Sequence, residues 1–203
     1  GWLLAGFGLV HLGVKVNAPA SIMAGATLLT YLFVYTPLKR VSTANTLVGA
    51  VSGALPPLIG WAAGGRSLLD PGSFFLFGLL FFWQLPHFAA INWMYRDEYI
   101  RGGFKMWSND DESGARTARI AMTYSLCLTL LAVVFPFISP EMEKWGAVGG
   151  GILGLVMVLL SHRFLKSGER GDARRLFFYT LLYLPAMMLA SYLAWKAITT
   201  PGA

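Results

Sequence analysis

The 203-residue chain is 56% hydrophobic and only 13% charged, and its formal net charge is +6. Soluble domains carry about 25% charged residues, and the charges here cluster between long apolar runs, so an ordinary soluble fold is excluded. The single cysteine, Cys127, excludes an internal disulfide and a CxxC metal or redox site.

Seven uncharged apolar runs follow one another along the chain, at 2–14, 18–35, 46–63, 74–94, 120–138, 145–160 and 176–195. A spanning helix needs about 20 residues, within a range of about 17–25. The run at 145–160 is slightly short, but its glycines indicate close helix packing. The run at 2–14 is too short. The pattern predicts an all-α transmembrane helix bundle of about seven spans, forming a single membrane domain over residues 1–203.

The basic residues predict the orientation of these spans. The loops after the second, fourth and sixth spans contain twelve of the 16 lysines and arginines, and only Lys15, Arg66, Lys144 and Lys196 lie elsewhere. Cytoplasmic loops are enriched in Lys and Arg. We therefore expect these three loops to face the cytoplasm and the C-terminus to face the opposite side.

The first of these loops reads YTPLKR at 35–40. Tyr35 and Lys39 are four residues apart and would share one face of a helical turn. Together with Arg40 they provide a phenol and two cations at the membrane surface, which suits an anionic phosphate. A Lys-Arg pair that merely anchors the span end is the alternative.

The second loop combines carboxylates with arginines. Asp97 and Glu98 supply the hard oxygen ligands that Mg²⁺ prefers, and Arg96 and Arg101 suit phosphate oxygens. The acidic run at 110–112 lies further along the same loop among Ser, Asn and Gly residues. For that run we predict a solvated turn rather than a metal site.

The span that precedes this loop contains Gln84 and His87, which are costly in a membrane unless they face a cavity or a partner. A histidine that bonds a neighbouring helix is the simplest explanation of His87. If one continuous helix reached Glu98, its 100° rotation per residue would bring Gln84, His87 and Glu98 toward one chamber.

Four motifs in order, YTPLKR, NTLVGAVSGALPPLIGW, FWQLPHF and YRDEYIRGGFKM, resemble the protoheme IX farnesyltransferases (heme O synthases) of the UbiA superfamily of intramembrane prenyltransferases. That family has nine spans, so the resemblance implies an N-terminally truncated chain that begins at the third span. The first Asp-rich motif would then be missing, and these residues alone would lack half of the Mg²⁺ site. The family usually has Asp directly before the tyrosine that matches Tyr99, whereas Glu98 stands there in this sequence.

The resemblance implies transfer of a farnesyl group from farnesyl diphosphate to a vinyl group of heme B, which gives heme O for heme A biosynthesis. The site residues that it implies fall into four groups. They are Lys39, Arg40, Arg96 and Arg101 for the diphosphate; Asp97 and Glu98 for Mg²⁺; Tyr35, Gln84 and His87 for catalysis; and Trp83 with His87 for the heme pocket.

The implied partners are the lipid bilayer, farnesyl diphosphate, heme B, and heme A synthase or cytochrome oxidase assembly proteins, with no nucleic acid. The implied location is a bacterial inner membrane or a mitochondrial inner membrane. Three alternatives stay open: a UbiA-type enzyme acting on an aromatic acceptor such as 4-hydroxybenzoate, a multispan transporter with an anion site, and a heme-handling membrane protein without catalysis. The WQLPHF segment favours the heme enzyme.

Overall fold

The computed structural model describes residues 1–195, and these residues form helices without any named strand. The helices are α1 (Trp2–Lys15), α2 (Ala18–Leu29), a π-helical segment (Thr30–Tyr35), α3 (Thr36–Leu38), α4 (Asn45–Ala54), α5 (Pro56–Ala63), α6 (Pro71–Met94), α7 (Arg96–Arg101), α8 (Ala115–Ile138), α9 (Gly146–Ser167) and α10 (Arg170–Ala194). The predicted all-α class is confirmed.

Six helical stretches are long and apolar enough to cross a membrane, and α1 is a shorter apolar helix. Large apolar side chains cover their outer surfaces, as at Leu3 (90% exposed), Leu130 and Leu182. Such side chains would be costly in water but are favourable against lipid. The chain is therefore an integral membrane protein, and the short first helix agrees with the short first apolar run.

The chain divides into two compact units, Gly1–Phe81 and a second that begins at Phe82. The single domain over 1–203 stays a prediction. The predicted position of the C-terminus and of Lys196 lies outside the described residues.

Polar side chains join α2 to α1 and to α5 in the first unit. The Asn17 side chain caps α2 by accepting the Ala20 N–H at 2.9 Å, which satisfies one of the amides left open at a helix start. Its Nδ2 also donates to the Ala62 carbonyl of α5 at 2.6 Å. The Ser21 hydroxyl donates to the Leu9 carbonyl and links α2 to α1.

Small residues let the helices of the second unit approach closely. A Cβ atom at Gly154 would lie 2.5 Å from the Thr129 hydroxyl, and one at Gly150 would lie 2.8 Å from the Ala132 Cβ. Both contacts join α8 to α9, so the predicted close packing of the glycine-rich span is confirmed. Without a hydrophobic force between helices in lipid, such packing is a main source of helix association.

A tryptophan joins two loops at one end of the second unit. Trp93 Nε1 donates to the Gly168 carbonyl at 2.8 Å, between α9 and α10. The Trp93 ring also fills the space beside Gly114, whose φ of +76° at the start of α8 favours glycine. The loops after α7 and after α9 therefore share one end of this unit, as the alternation of spans requires.

Candidate functional site

A π-helical segment shapes the first basic loop. Pro37 lacks an N–H and its ring crowds the preceding turn, and the helix ahead of it widens over Thr30–Tyr35. The Thr36 hydroxyl donates to the Tyr31 carbonyl at 2.8 Å and satisfies an acceptor of the widened turn. Single π turns are frequent at functional sites.

Tyr35 and Lys39 do share one face. Lys39 Nζ lies 4.3 Å from the centroid of the Tyr35 ring and 5.8 Å from that of Tyr31. The Tyr35 ring rests on α4, where a Cβ atom at Gly49 would meet it at 2.7 Å. Within residues 1–195, neither Lys39 nor the exposed Arg40 has an acidic partner, so both cations are available to an anion.

In the second unit, two side chains of α6 converge on one residue of α10. Trp83 Nε1 donates to the Thr180 carbonyl at 2.8 Å, and His87 Nδ1 lies 2.7 Å from the Thr180 hydroxyl oxygen. That hydroxyl donates its only proton to the Phe177 carbonyl at 2.5 Å. In the tautomer in which that hydroxyl accepts from His87, Nδ1 carries the proton and a neutral His87 keeps its lone pair on Nε2.

Aromatic rings surround His87. Its ring centroid lies 5.3 Å from that of Trp83 and 4.9 Å from that of Phe177. Gln84, one turn before His87, is only 6% exposed. The polar groups of this span thus face protein rather than lipid, as the cost of polar groups in a membrane requires.

The continuous helix that would bring Gln84, His87 and Glu98 toward one chamber is not present. Helix α6 ends at Met94, Tyr95 leaves the helical conformation with φ −109° and ψ 29°, and α7 begins at Arg96. The rotation argument that aimed Glu98 along the His87 face therefore fails. Nothing in residues 95–101 is a proline or glycine, so local sequence did not signal this break.

Both predicted metal ligands lie on α7 and are more than half exposed. Asp97 Oδ2 accepts a hydrogen bond from Arg170 at 2.6 Å, and this bond holds the pKa of the Asp97 carboxyl below its usual value. Glu98 lies 3.6 Å from Arg101. Among the described residues no cluster of three or more acidic, His or Cys side chains could hold a metal alone. Two adjacent carboxylates do fit Mg²⁺, which commonly takes one or two carboxylates and fills its shell with phosphates and water.

Arg96 is bound to its own loop. Its Nε donates to the Ser108 carbonyl at 2.8 Å and its Nη2 to the Asn109 carbonyl at 3.1 Å. The sequence suggested a side chain facing an outside anion, whereas half-buried Arg96 also pins residues 102–114. Arg101, by contrast, is 75% exposed.

We predicted that the acidic run at 110–112 is a solvated turn, and for Asp111 this prediction is wrong. Asp111 is buried and accepts the backbone N–H of Thr117 at 2.7 Å and its hydroxyl at 2.8 Å. Burial raises the pKa of the Asp111 carboxyl, but the Thr117 hydrogen bonds outweigh it and the pKa is lowered. Asp111 thus satisfies open donors at the N-terminus of α8.

The sequence did not indicate a site role for Thr180, Phe177, Arg170 or Arg174. Their spacing carried a weak signal, because Arg170, Arg174 and Phe177 fall at i, i+4 and i+7 on one helix face. Thr180 is a single hydroxyl in an apolar run, and such residues often bond within their own helix.

Comparison with known proteins gives one family. The model of the UbiA prenyltransferase family matches residues 1–191. The chain is 38% identical over 183 residues to the mitochondrial protoheme IX farnesyltransferase of Homo sapiens, which covers 90% of this chain. It is 41% identical over 192 residues to the protoheme IX farnesyltransferase of Anaeromyxobacter sp. (strain Fw109-5), which covers 92% of this chain.

The chain spans only part of these relatives. It covers 40% of the human protein and 62% of the Anaeromyxobacter protein. It likewise covers 42% of the mitochondrial protoheme IX farnesyltransferase of Arabidopsis thaliana, to which it is 38% identical. No solved structure matches the chain.

Proposed function

The chain belongs to the UbiA prenyltransferase family, and we propose that within this family it transfers the farnesyl group of farnesyl diphosphate to a vinyl group of heme B, forming heme O. One observation carries the proposal. Relatives that match about nine-tenths of this chain at 38–41% identity bear the name protoheme IX farnesyltransferase. The Trp83–His87–Phe177 ring cluster inside an apolar bundle supports a large, flat acceptor.

Diphosphate recognition is proposed for four basic side chains. Lys39, Arg40 and the exposed Arg101 are each proposed to stabilise the negative charge that grows on the leaving diphosphate. Tyr35 would orient Lys39, because its ring lies under the ammonium group. Arg96 keeps its proposed role toward phosphate in addition to its bonds to the loop.

Asp97 and Glu98 are the proposed Mg²⁺ ligands. When bound, Mg²⁺ would neutralise charge on the diphosphate. Asp97 would bind through Oδ1, because Arg170 already donates to its Oδ2.

Farnesyl transfer needs an electron-rich acceptor beside the allylic carbon and no water at the carbon before attack. The proposed heme pocket contains Trp83 and His87, with buried Gln84 one turn away. His87 donates to Thr180 through Nδ1, and within residues 1–195 no hydrogen bond engages its Nε2. Nε2 is therefore the atom that would accept a proton or contact the heme iron.

The decisive experiment is conversion of heme B to heme O. Membranes from cells that express the full-length protein are incubated with heme B, farnesyl diphosphate and Mg²⁺. The hemes are then separated by chromatography, and their masses are measured by mass spectrometry. We expect a product heavier than heme B by one farnesyl group and one hydroxyl group, with diphosphate released. Prenylation of 4-hydroxybenzoate with no change in heme B would contradict the proposal and favour the aromatic-acceptor alternative.

We further propose that the loops after α7 and α9 face the cytoplasm. The support is the distribution of basic residues. In a Cys127-free background, cysteines replacing Ser167 and Lys144, at opposite ends of α9, should react from opposite sides of the membrane. Labelling of both from one side would contradict the arrangement.

A further inference from the structure

A pocket of about 500 Å³ opens where α6 ends and α10 begins. Two arginines, Arg170 and Arg174, and three aromatic residues, Tyr95, Phe177 and Phe178, contribute to its lining. Its size lies within the range of about 300–1,000 Å³ that is usual for small-molecule sites. None of the residues assigned so far to diphosphate or Mg²⁺ lines it.

The pocket is polar at one end and aromatic at the other. Arg170 and Arg174 lie in the first two turns of α10, and Phe177 follows Arg174 by three residues. With a rise of about 1.5 Å per residue, the Phe177 ring begins roughly one turn further into the span. Such a pocket suits an amphipathic ligand whose anionic edge stays at the membrane surface while its apolar body enters the bundle.

The two arginines differ in their availability. Arg170 is held by Asp97 at 2.6 Å. Arg174 has no acidic partner among residues 1–195, and its guanidinium instead lies 5.5 Å from the centroid of the Phe178 ring. Arginine binds carboxylates with two parallel hydrogen bonds, so Arg174 is the group that would take an anionic ligand.

The aromatic end of the pocket leads to the proposed heme pocket. Phe177 lines it, and the Phe177 ring centroid lies 4.9 Å from that of His87. A flat ligand against Phe177 would thus approach the imidazole that we place beside the acceptor.

We propose that this pocket binds the carboxylate edge of the acceptor: Arg174 pairs with a propionate of heme B, and Phe177 contacts the macrocycle. This assignment rests on the proposed function, since it is heme B that combines a flat apolar ring with two carboxylates on one edge. Arg174 is then a substrate-binding residue that sets the orientation of the ring, and with it which vinyl group is presented to the farnesyl donor.

The test removes the carboxylates from the ligand and the cation from the protein. Heme B and its dimethyl ester are titrated, by absorbance and without farnesyl diphosphate, into the full-length protein in phosphatidylcholine nanodiscs. Arg174→Gln keeps the aliphatic stem but loses the charge. Arg175→Gln is the matched control, because Arg175 is the adjacent arginine, is 68% exposed, pairs with Asp172 and is not among the lining residues. Comparing ratios between variants cancels the greater lipid partitioning of the ester.

We expect the parent and Arg175→Gln to prefer heme B over the diester by about tenfold, as one charge-assisted contact implies. Arg174→Gln should lose this preference while binding the diester as the parent does. An equal change in both variants would overturn the assignment in favour of a general charge effect. The assignment would also be overturned if the parent showed no preference for heme B over the diester, and if it retained phosphatidylglycerol that Arg174→Gln lost. The pocket would then be assigned to a lipid headgroup.

A separate reaction with farnesyl diphosphate keeps the two proposals distinguishable. Suppose that the parent forms heme O while Arg174→Gln keeps the parent's preference for heme B over the diester. That result would refute the proposed propionate site and leave the proposed function standing. Selective heme B binding without any heme O would refute the function and leave the pocket standing.

Discussion

Replacing Arg96 with alanine should loosen the loop at 102–114 before it alters anything else. Arg96 donates to two consecutive carbonyls of that loop, those of Ser108 and Asn109. Ser108 is 0% exposed, and its hydroxyl donates to the Asn92 carbonyl of α6. Removing the guanidinium therefore leaves acceptors without their donors where water has little access.

The magnitude follows from the two hydrogen bonds. Hydrogen bonds from a charged donor contribute about 1.5–3 kcal/mol each. At the lower end of this range, the two bonds together would contribute about 3 kcal/mol. Because Arg96 is half-buried, water can replace part of this loss, so we expect the free energy of opening the loop to fall by about 2 kcal/mol. At about 1.4 kcal/mol per factor of ten, amide exchange in the loop should rise roughly 30-fold.

The assay is hydrogen exchange with mass spectrometry on peptides covering 102–114. Arg101→Ala is the control, because this neighbouring arginine is 75% exposed and lies 3.6 Å from Glu98. Such a surface contact contributes under about 1 kcal/mol. Arg96→Lys separates the two roles of Arg96, since lysine keeps the charge for a diphosphate but cannot span two carbonyls with one planar group.

Faster exchange in Arg96→Ala and Arg96→Lys, with Arg101→Ala unchanged, would establish the role in the loop. Farnesyl diphosphate affinity that recovers only in Arg96→Lys would show the second role, toward phosphate. Unchanged exchange in Arg96→Ala would refute the reasoning.

His87→Asn should keep the hydrogen bond to Thr180, because the Asn amide can replace Nδ1, and should therefore melt near the parent but form little heme O; parental turnover by a stable variant would leave His87 with packing alone. Lys39→Ala should weaken farnesyl diphosphate binding about tenfold or more, as loss of a charge-assisted contact implies, with no change in melting temperature; an unchanged affinity would remove Lys39 from the site. Gly154→Ala should cost about 1–3 kcal/mol by overpacking against α8, seen as a lower melting temperature, whereas Gly171→Ala, with nothing within 4 Å of its Cβ, should melt like the parent. The pKa of the Asp111 carboxyl is lowered in the folded state, so the stabilisation by the ionised group is complete above about pH 4 and is lost as pH falls through the folded-state pKa. Asp111→Asn should therefore reduce the fall in melting temperature at acid pH. An unchanged dependence of melting temperature on pH would contradict the capping role.

The spans and the local side-chain pairs follow from the sequence. Apolar runs set the helices, because each residue in a bilayer must be compatible with lipid or with a helix partner. Tyr35 and Lys39 meet because four residues make about one helical turn. Asp97 and Glu98 are neighbours on α7 because they are adjacent in the chain, and the motifs around them were sufficient to indicate the family.

The partners of these groups depend on contacts between segments that are far apart in the chain. His87 contacts Thr180, which lies 93 residues further along the chain, and Asp97 contacts Arg170, which lies 73 residues further along. The helix break at Tyr95 accompanies the bonds from Arg96 to a later loop, which no pattern near residue 95 contains. Helical periodicity reports only on neighbours within a few turns, whereas contacts between distant segments depend on how side chains of different helices fill shared space.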